Sequence, residues 1–339
     1  MSWPEEDVKF RHNPSATSTP SSKTTKPKDQ RRAVLVTGGA GFIGSHLVRR
    51  LLADGYEVRV LDSLATGSLD NLAGVDGVDF IEADVRSRAS LRRAMVGVDV
   101  VFHLAALPSV ARSWIDPVST LATNAHGTAN VVEAAAEAKV QCLVYSSSSS
   151  VYGEQEVELK AESLEPQPIS PYAYSKLLGE KIALAHARDG AGLRVVALRY
   201  FNVFGARQDP NSPYSAVIPL FIKAALGATT ATIFGDGLQS RDFTYVDNVV
   251  EANLSALRSN VSGLAMNVAT GESHTLRELT DAISALHGRP LEVAFGPPRA
   301  GDIRHSRADI SLAAQAIGYR PGVGFEEGLR RTFEHYRST

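Results

Sequence analysis

The octapeptide Thr37-Gly38-Gly39-Ala40-Gly41-Phe42-Ile43-Gly44 decides how the rest of this chain is read. It follows at once on the apolar run Ala33-Val34-Leu35-Val36 and opens a stretch of helical periodicity at 43–53. Gly39, Gly41 and Gly44 give the spacing G-x-G-x-x-G. After a strand, such glycines let the backbone turn tightly and approach a pyrophosphate, whose charge meets the N-terminus of the following helix. Taken alone, the spacing is equally that of a tight strand–helix turn. The second half of the signal is Asp62, which closes the next β-branched run about twenty residues on, where a carboxylate accepts hydrogen bonds from an adenosine ribose. A carboxylate there repels a 2′-phosphate, so the pattern predicts NAD rather than NADP.

Working outward, short runs at 33–37, 57–62, 78–82, 100–104, 142–146 and 195–200 read as buried strands. Between them lie helical stretches such as 43–53, 90–95, 127–138 and 172–187. This alternation predicts an α/β fold, a Rossmann-type doubly wound parallel sheet with helices on both faces. After Asn202 the pattern loosens, with a helix at 218–226, a strand at 232–234 and a helix at 247–259. The expected division is a disordered extension at 1–32, rich in Pro, Ser, Thr and Lys, and an NAD-binding domain at 33–203. Returning segments from about 232–260 join that domain, and 204–339 is mainly a smaller substrate-binding lobe over the carboxyl ends of the strands.

The bulk numbers narrow the function classes. A net charge of −2 over 339 residues leaves no broad basic field for nucleic acid or an anionic membrane. No stretch reaches the length of a membrane span, and Glu5, Glu6 and Asp7 interrupt any secretory leader. The single cysteine, Cys142, lies in an apolar run and reads as a small buried hydrophobe, which fits a cytoplasmic protein. The histidines show no paired spacing for a metal, and His103 at a strand end reads as packing or hydrogen bonding.

Tyr172 and Lys176 form Y-x-x-x-K, which puts both side chains on one helix face, a turn apart. A phenol with a free pKa of about 10 becomes a useful base beside an ammonium and a cationic nicotinamide. It can then take a hydroxyl proton as hydride leaves the same carbon. An exposed Tyr/Lys pair on an amphipathic helix is the plain alternative. Position decides against it, because the pair follows a strand that runs into Ser146-Ser147-Ser148-Ser149-Ser150, at the same end of the sheet as the glycine loop.

These features, with His103-Leu104-Ala105-Ala106, Asn124 before His126-Gly127-Thr128, Arg199-Tyr200-Phe201-Asn202-Val203-Phe204-Gly205, Arg241-Asp242-Phe243-Thr244 and Arg299-x-x-Asp302, resemble the extended short-chain dehydrogenase/reductases, specifically the nucleotide-sugar 4-epimerases. The resemblance runs from Val34 to about Tyr336. It implies that Ser148 assists Tyr172 and Lys176 in catalysis. It further implies that Gly38, Gly41, Phe42, Ile43, Gly44, Asp62, Ser63 and Gly67 hold NAD, with Asp84 and Val85 flanking its adenine. Leu104, Ala105, Ala106, Asn124, Ser146, Tyr200 and Val203 would line the same cofactor. A UDP-sugar would meet Ser148, Ser149, Tyr172, Asn202, Arg207, Ala216, Val217, Ile218 and Phe234. Arg241 and Arg299 would take its phosphates and Asp302 its ribose, with Ser306 near the sugar. Local arginines are what a diphosphate needs in a near-neutral protein.

Related dehydratases carry acids directly after the Ser148 position, and a decarboxylase of the family keeps a glutamate at the Ser150 position. Here Ser149 and Ser150 stand there. The resemblance therefore implies an NAD-dependent isomerase that inverts C4 of UDP-glucose or its N-acetylated relative. A UDP-glucuronate 4-epimerase is the alternative, with Arg207 as the added cation, and a non-catalytic NAD-binding protein would be expected to lack Tyr172 or Lys176. A small residue at the Ser306 position leaves room for an N-acetyl group. The resemblance also implies a homodimer packed through the helices at 127–138 and 172–187, both of which carry apolar stripes.

Overall fold

Seven short, mostly apolar runs pair as one parallel sheet: β1 (Ala33–Thr37), β2 (Glu57–Asp62), β3 (Val78–Glu82), β4 (Val100–His103), β5 (Cys142–Ser148), β6 (Arg194–Tyr200) and β7 (Leu264–Val268). The computed structural model describes residues 32–155, 157–187, 192–211, 216–298 and 304–339. The strand order is β7-β6-β5-β4-β1-β2-β3, and every neighbouring pair is parallel. The order reverses between β1 and β4, which opens a crevice at the carboxyl ends of those strands. The extension expected at 1–32 falls, but for Arg32, outside the described residues.

The first six strands match the sequence reading to within two residues at their ends. The seventh is new. Asn267 interrupts its apolar run, and β7 is placed by pairing with β6, from Leu264 opposite Val196 to Val268 opposite Tyr200.

Alternation along each strand builds a core on both faces. Val34 and Val36 pack with α1 (Phe42–Ala53) on one face, while Leu35 packs with α2 (Arg88–Ala94) on the other. Next in the chain come α3 (Val110–Ile115), α4 (Pro117–Leu121), α5 (Gly127–Glu137) and α6 (Pro171–His186). The interior of α5 joins Leu35, Val101 and Leu143 in that second core. Burying one such Val or Leu contributes about 1.5–3 kcal/mol, so packing fixes where the strand ends lie.

Past β6 come α7 (Val217–Leu226), α8 (Val246–Arg258), α9 (Leu276–His287), α10 (Ser311–Ile317) and α11 (Phe325–Ser338). α8 returns to the first face of the sheet. A separate apolar cluster joins Phe204, Ile218, Phe221, Ile233, Phe243, Leu279, Phe325 and Phe333. The strand Ala231–Phe234 pairs with Val293–Gly296 outside the large sheet. No helix among the described residues is long and apolar enough to cross a membrane.

Candidate active site

The glycine loop leaves no room for a side chain at Gly38 or Gly44. A Cβ at Gly44 would lie 2.1 Å from the Gly38 carbonyl oxygen, and one at Gly38, where φ is +73°, would lie 2.7 Å from the Ala105 nitrogen. Gly41 caps the start of α1 without a side-chain bond, and Phe42 and Ile43 follow as its first residues. Asp62, buried at the end of β2, accepts the Ala40 N–H on Oδ2 and the Leu64 N–H on Oδ1, both at 2.9 Å. Burial raises its pKa against these two bonds. A Cβ on Gly67 would stand 3.2 Å from Asp62 Oδ1, and Ser63 is exposed beside it. A close-approach loop, a helix N-terminus and a carboxylate with acceptor capacity left over fit a dinucleotide.

Other expected cofactor residues gather at the same strand ends. Leu104 donates its N–H to the Thr37 carbonyl, and Ala105 and Ala106 continue that loop. Asn124 lies in a single π-helical turn, Ala122–His126, between α4 and α5. Its Oδ1 accepts the Leu107 N–H at 2.7 Å, and its Nδ2 donates to the Leu107 carbonyl and the Ser175 hydroxyl. A π turn at a functional residue is a recurrent device; here it carries an asparagine that ties the β4 loop to α6. Tyr200 exchanges hydrogen bonds with Asn253 and meets Ser146, while Val203 pairs with Thr244. Val85 is buried against Gly127. Asp84 has both oxygens held by Arg86; burial raises its pKa, but Arg86 outweighs that and holds the carboxyl below its ordinary range.

β5 ends in Ser148, and α6 starts with Ser170 as its N-cap and Pro171 in its first turn, an arrangement that favours helix initiation. Tyr172 is therefore set at the mouth of the sheet, where the Ser148 hydroxyl acts on its phenol to lower its pKa. Ser150 donates to the Ser148 hydroxyl oxygen twice, through its N–H at 3.2 Å and its own hydroxyl at 2.9 Å. A hydroxyl oxygen has two lone pairs, so the proton of Ser148 stays available for a partner on its other side. Ser149 begins the 3₁₀ turn that follows.

Burial dominates the titration of the pair. It raises the Tyr172 pKa, with the Ser148 hydroxyl opposing, and pushes Lys176 from an ordinary 10.5 down to about 7, with Glu180 opposing. The Lys176 ammonium stands 4.7 Å from the centre of the Tyr145 ring. The sequence expectation that an ammonium and a cationic nicotinamide favour the phenolate leaves out burial, because desolvation works the other way. His103 bonds Thr37 at 2.7 Å and Thr128 at 3.0 Å and is held neutral, its pKa pushed down to about 3 by burial and Lys176. Cys142 is buried, which lifts its thiol to about 11.

The residues expected at the sugar nucleotide are spread over the segments beyond β6. Asn202, at φ +32°, donates Nδ2 to the Asp242 carbonyl at 3.2 Å. Arg241 pairs in register with Ser306, which is buried on the strand His305–Ala308. Ala216 caps α7, Val217 opens it and Ile218 is buried. Phe234 lines a cleft of about 510 Å³ with Asp236, Gln239, Arg277, Phe295 and Arg304. Arg207 turns elsewhere: its Nε donates to the Ser45 hydroxyl on α1 at 3.0 Å, and its backbone N–H to His335 on α11. Arg299 and Asp302 lie outside the described residues. Among the described residues no group of three or more His, Cys, Asp or Glu is placed to hold a metal.

Sequence reasoning missed three groups. Asp242, buried, accepts from Thr270, Gly271 and Ala308 and so ties the Arg241 strand to its neighbours. Glu180 and Arg199 form a buried ion pair. The i, i+4 spacing of Glu180 from Lys176 was a usable signal, whereas the Arg199 contact depends on the pairing of β5 with β6.

A Rossmann sheet with a glycine cradle, a buried Asp62 and the Ser148, Tyr172 and Lys176 side chains at one strand end defines a dinucleotide-dependent enzyme of the short-chain dehydrogenase/reductase type. The profile of the NAD dependent epimerase/dehydratase family matches residues 34–269, and the chain belongs to that family. It is 41% identical over 310 residues to the UDP-glucose 4-epimerase of Mycolicibacterium smegmatis, covering 90% of this chain and 98% of that one. Among solved structures it is similar to the UDP-N-acetylglucosamine 4-epimerase of Methanobrevibacter ruminantium in complex with UDP-N-acetylmuramic acid (40% identity, TM-score 0.87, 91% of this chain and 99% of that one). It is also similar to the Thermus thermophilus UDP-glucose 4-epimerase in complex with NAD (41% identity, TM-score 0.83, 91% and 99% covered).

Proposed function

We propose that this chain is an NAD-dependent UDP-sugar 4-epimerase, inverting C4 of UDP-glucose or UDP-N-acetylglucosamine through a transient 4-keto sugar. The observation that carries this reading is Tyr172 on α6 beside Ser148 at the end of β5, whose hydroxyl opposes the rise of the phenol pKa, with serines, not acids, at positions 149 and 150. Bound NAD supplies the hydride acceptor and a cationic ring that favours an ionised phenol. Ser148 orients the C4 hydroxyl, Tyr172 takes its proton and later returns one, and Lys176 provides the positive field beside them. With no acid after Ser148 to move protons at C5 or C6, the keto sugar turns over and is reduced on its other face. Residues 33–203 with α8 and β7 form the NAD-binding part of this reading, and the segments around the second apolar cluster, with Asn202, Phe234 and Arg241, form the lobe that grips the nucleotide. Arg299 and Asp302 complete that grip in the same reading.

The deciding experiment incubates the purified protein separately with UDP-glucose, UDP-N-acetylglucosamine and UDP-glucuronate and identifies products by NMR. C4 epimers of the first two are expected. A 4-keto-6-deoxy sugar or a pentose overturns the assignment, and turnover of UDP-glucuronate alone replaces it with the alternative in which Arg207, here engaged by Ser45, meets a carboxylate. The small, buried Ser306 beside Arg241 supports acceptance of the N-acetylated sugar. Ser306→Tyr is expected to lower kcat/KM for UDP-N-acetylglucosamine by about tenfold or more while sparing UDP-glucose, the scale of a steric pocket change. Equal losses on both substrates would remove Ser306 from the sugar site.

The same reading includes a cytoplasmic homodimer, expected to pack through the helices at 127–138 and 172–187. The apolar stripe of α5 faces the protein's own core. Exposed apolar side chains lie on α6 and on the neighbouring α3 and α4: Trp114 is 64% exposed, Ile115 74% and Val118 75%, with Tyr174 and Leu178 on α6. α3 and α4 both pack on α6, so these form one patch of the kind monomers avoid. Ile115→Glu with Val118→Glu is expected to convert a dimer to a monomer in light scattering at micromolar concentration. A dimer that survives both charges places the interface elsewhere.

A further inference from the structure

α6 carries a third chemically active side chain on the stripe of Tyr172 and Lys176. Glu180 lies one turn beyond Lys176, with its side chain 4% exposed, against Arg199 of β6, 6% exposed. The contact is bidentate: Arg199 Nη2 donates to Oε1 at 2.7 Å and Nε to Oε2 at 3.0 Å. Ser147, the chain neighbour of Ser148, donates its hydroxyl to the same Oε2 at 2.6 Å. On the far side Arg199 Nη1 donates to the Tyr152 hydroxyl at 2.9 Å, which donates to Asn267 Oδ1 at 2.7 Å. Asn267 Nδ2 in turn donates to the Lys160 and Asp309 carbonyls. One chain of hydrogen bonds thus runs from α6 through β5, β6 and β7 to a residue next to the strand that carries Ser306.

A buried ion pair seldom adds net stability over an apolar pair of equal volume, because desolvation offsets the attraction. What it fixes is geometry, since the planar guanidinium fork accepts one orientation of the carboxylate. Lys176 is faced by Tyr172 and Glu180 from its own helix, by the Tyr145 ring from β5 and by neutral His103 from β4, with Arg199 behind Glu180. Glu180 is the carboxylate whose charge opposes the loss of the Lys176 proton on burial.

We propose that the Glu180–Arg199 pair is a positioning device for catalysis, holding α6 against the strand that bears Ser148 and supplying the negative field that Lys176 meets from the next helical turn. The proposal rests on the reading that Tyr172 and Lys176 carry the chemistry. Neither Glu180 nor Arg199 touches the reacting atoms in it.

The test compares kcat and KM across pH for the NAD-loaded wild type, Glu180→Gln, and Glu180→Gln with Arg199→Met, which removes the guanidinium that the first change leaves unpaired. Without the carboxylate the Lys176 ammonium loses its proton at lower pH, so the alkaline limb of kcat moves down by about one pH unit. That is a loss of about tenfold on the alkaline side and little on the acid side, with KM for UDP-glucose within about twofold. Thermal unfolding of the double variant near the wild-type midpoint separates this effect from misfolding. A wild-type profile in Glu180→Gln, or a loss equal at every pH, overturns the proposal. Ser147→Ala keeps the ion pair and removes only its bond to β5; a kcat loss of about threefold at constant KM supports the clamp, and unchanged kcat overturns it. Activity retained in Tyr172→Phe would instead remove the site reading itself, so the two failures are distinguishable.

Discussion

Tyr172→Phe is expected to lower kcat for C4 epimerisation by about 10²–10⁴-fold, the range for loss of a positioned general acid–base. That corresponds to roughly 3–5 kcal/mol of transition-state stabilisation at about 1.4 kcal/mol per tenfold. KM for the UDP-sugar should change little, because the phenol hydroxyl contributes to the transition state more than to ground-state binding. The fold should tolerate the change. Ser148, whose hydroxyl acts on the phenol, is engaged by Ser150, so little is left unsatisfied when the phenol hydroxyl is removed. Burial raises the Tyr172 pKa, which means that the phenol is protonated at neutral pH until charge is brought beside it. The corresponding measurement is kcat and KM for wild type and variant, with NAD content checked by absorbance. Turnover within a factor of a few of wild type would sink the mechanism.

How much of this was legible in the sequence follows the range of the interactions involved. The strands β1 to β6 were readable because each is a short apolar run bounded by turn residues, a local property. β7 was not, because Asn267 breaks its apolar run and is satisfied only by distant partners, Tyr152, Lys160 and Asp309. The glycine loop and Asp62 were readable as spacing, and the structure adds their coupling through the Ala40 N–H. For α5 the apolar stripe was visible but not its partner: stripes mark a buried face and do not say whether the cover is the same chain or another. The exposed patch on α3 and α4 escaped for the converse reason, since two short helices separated by Asp116 show no sustained period. Arg207 was assigned from chemistry alone, and its positive φ of +65° and its Ser45 bond depend on where α1 and α11 meet.

Lys176→Met should show the opposite signs in activity and stability. Loss of the ammonium is expected to cost about 10²-fold or more in kcat, as for removal of a preorganised electrostatic contact. Yet the side chain is buried and its pKa falls from 10.5 to about 7 in the folded protein. At and below about pH 7 both folded and unfolded chains carry the proton, and the full cost of burying the charge bears on the fold. Between about pH 7 and 10.5 the unfolded chain binds more protons than the folded one, so wild-type stability from this group rises with pH. Methionine has similar length and no charge to desolvate, so the variant's thermal midpoint should equal or exceed that of wild type by about 2–4 °C. The difference should be largest near pH 6 and shrink toward pH 10. Differential scanning calorimetry at several pH values, with both proteins in the same cofactor state, checks the sign. A variant several degrees less stable than wild type at pH 6 would mean that the contacts of the ammonium with the Tyr145 ring and the Glu180 field outweigh its desolvation. A variant that is stable but inactive would identify Lys176 as a residue held at this site against the preference of the fold, its depressed pKa a product of its burial.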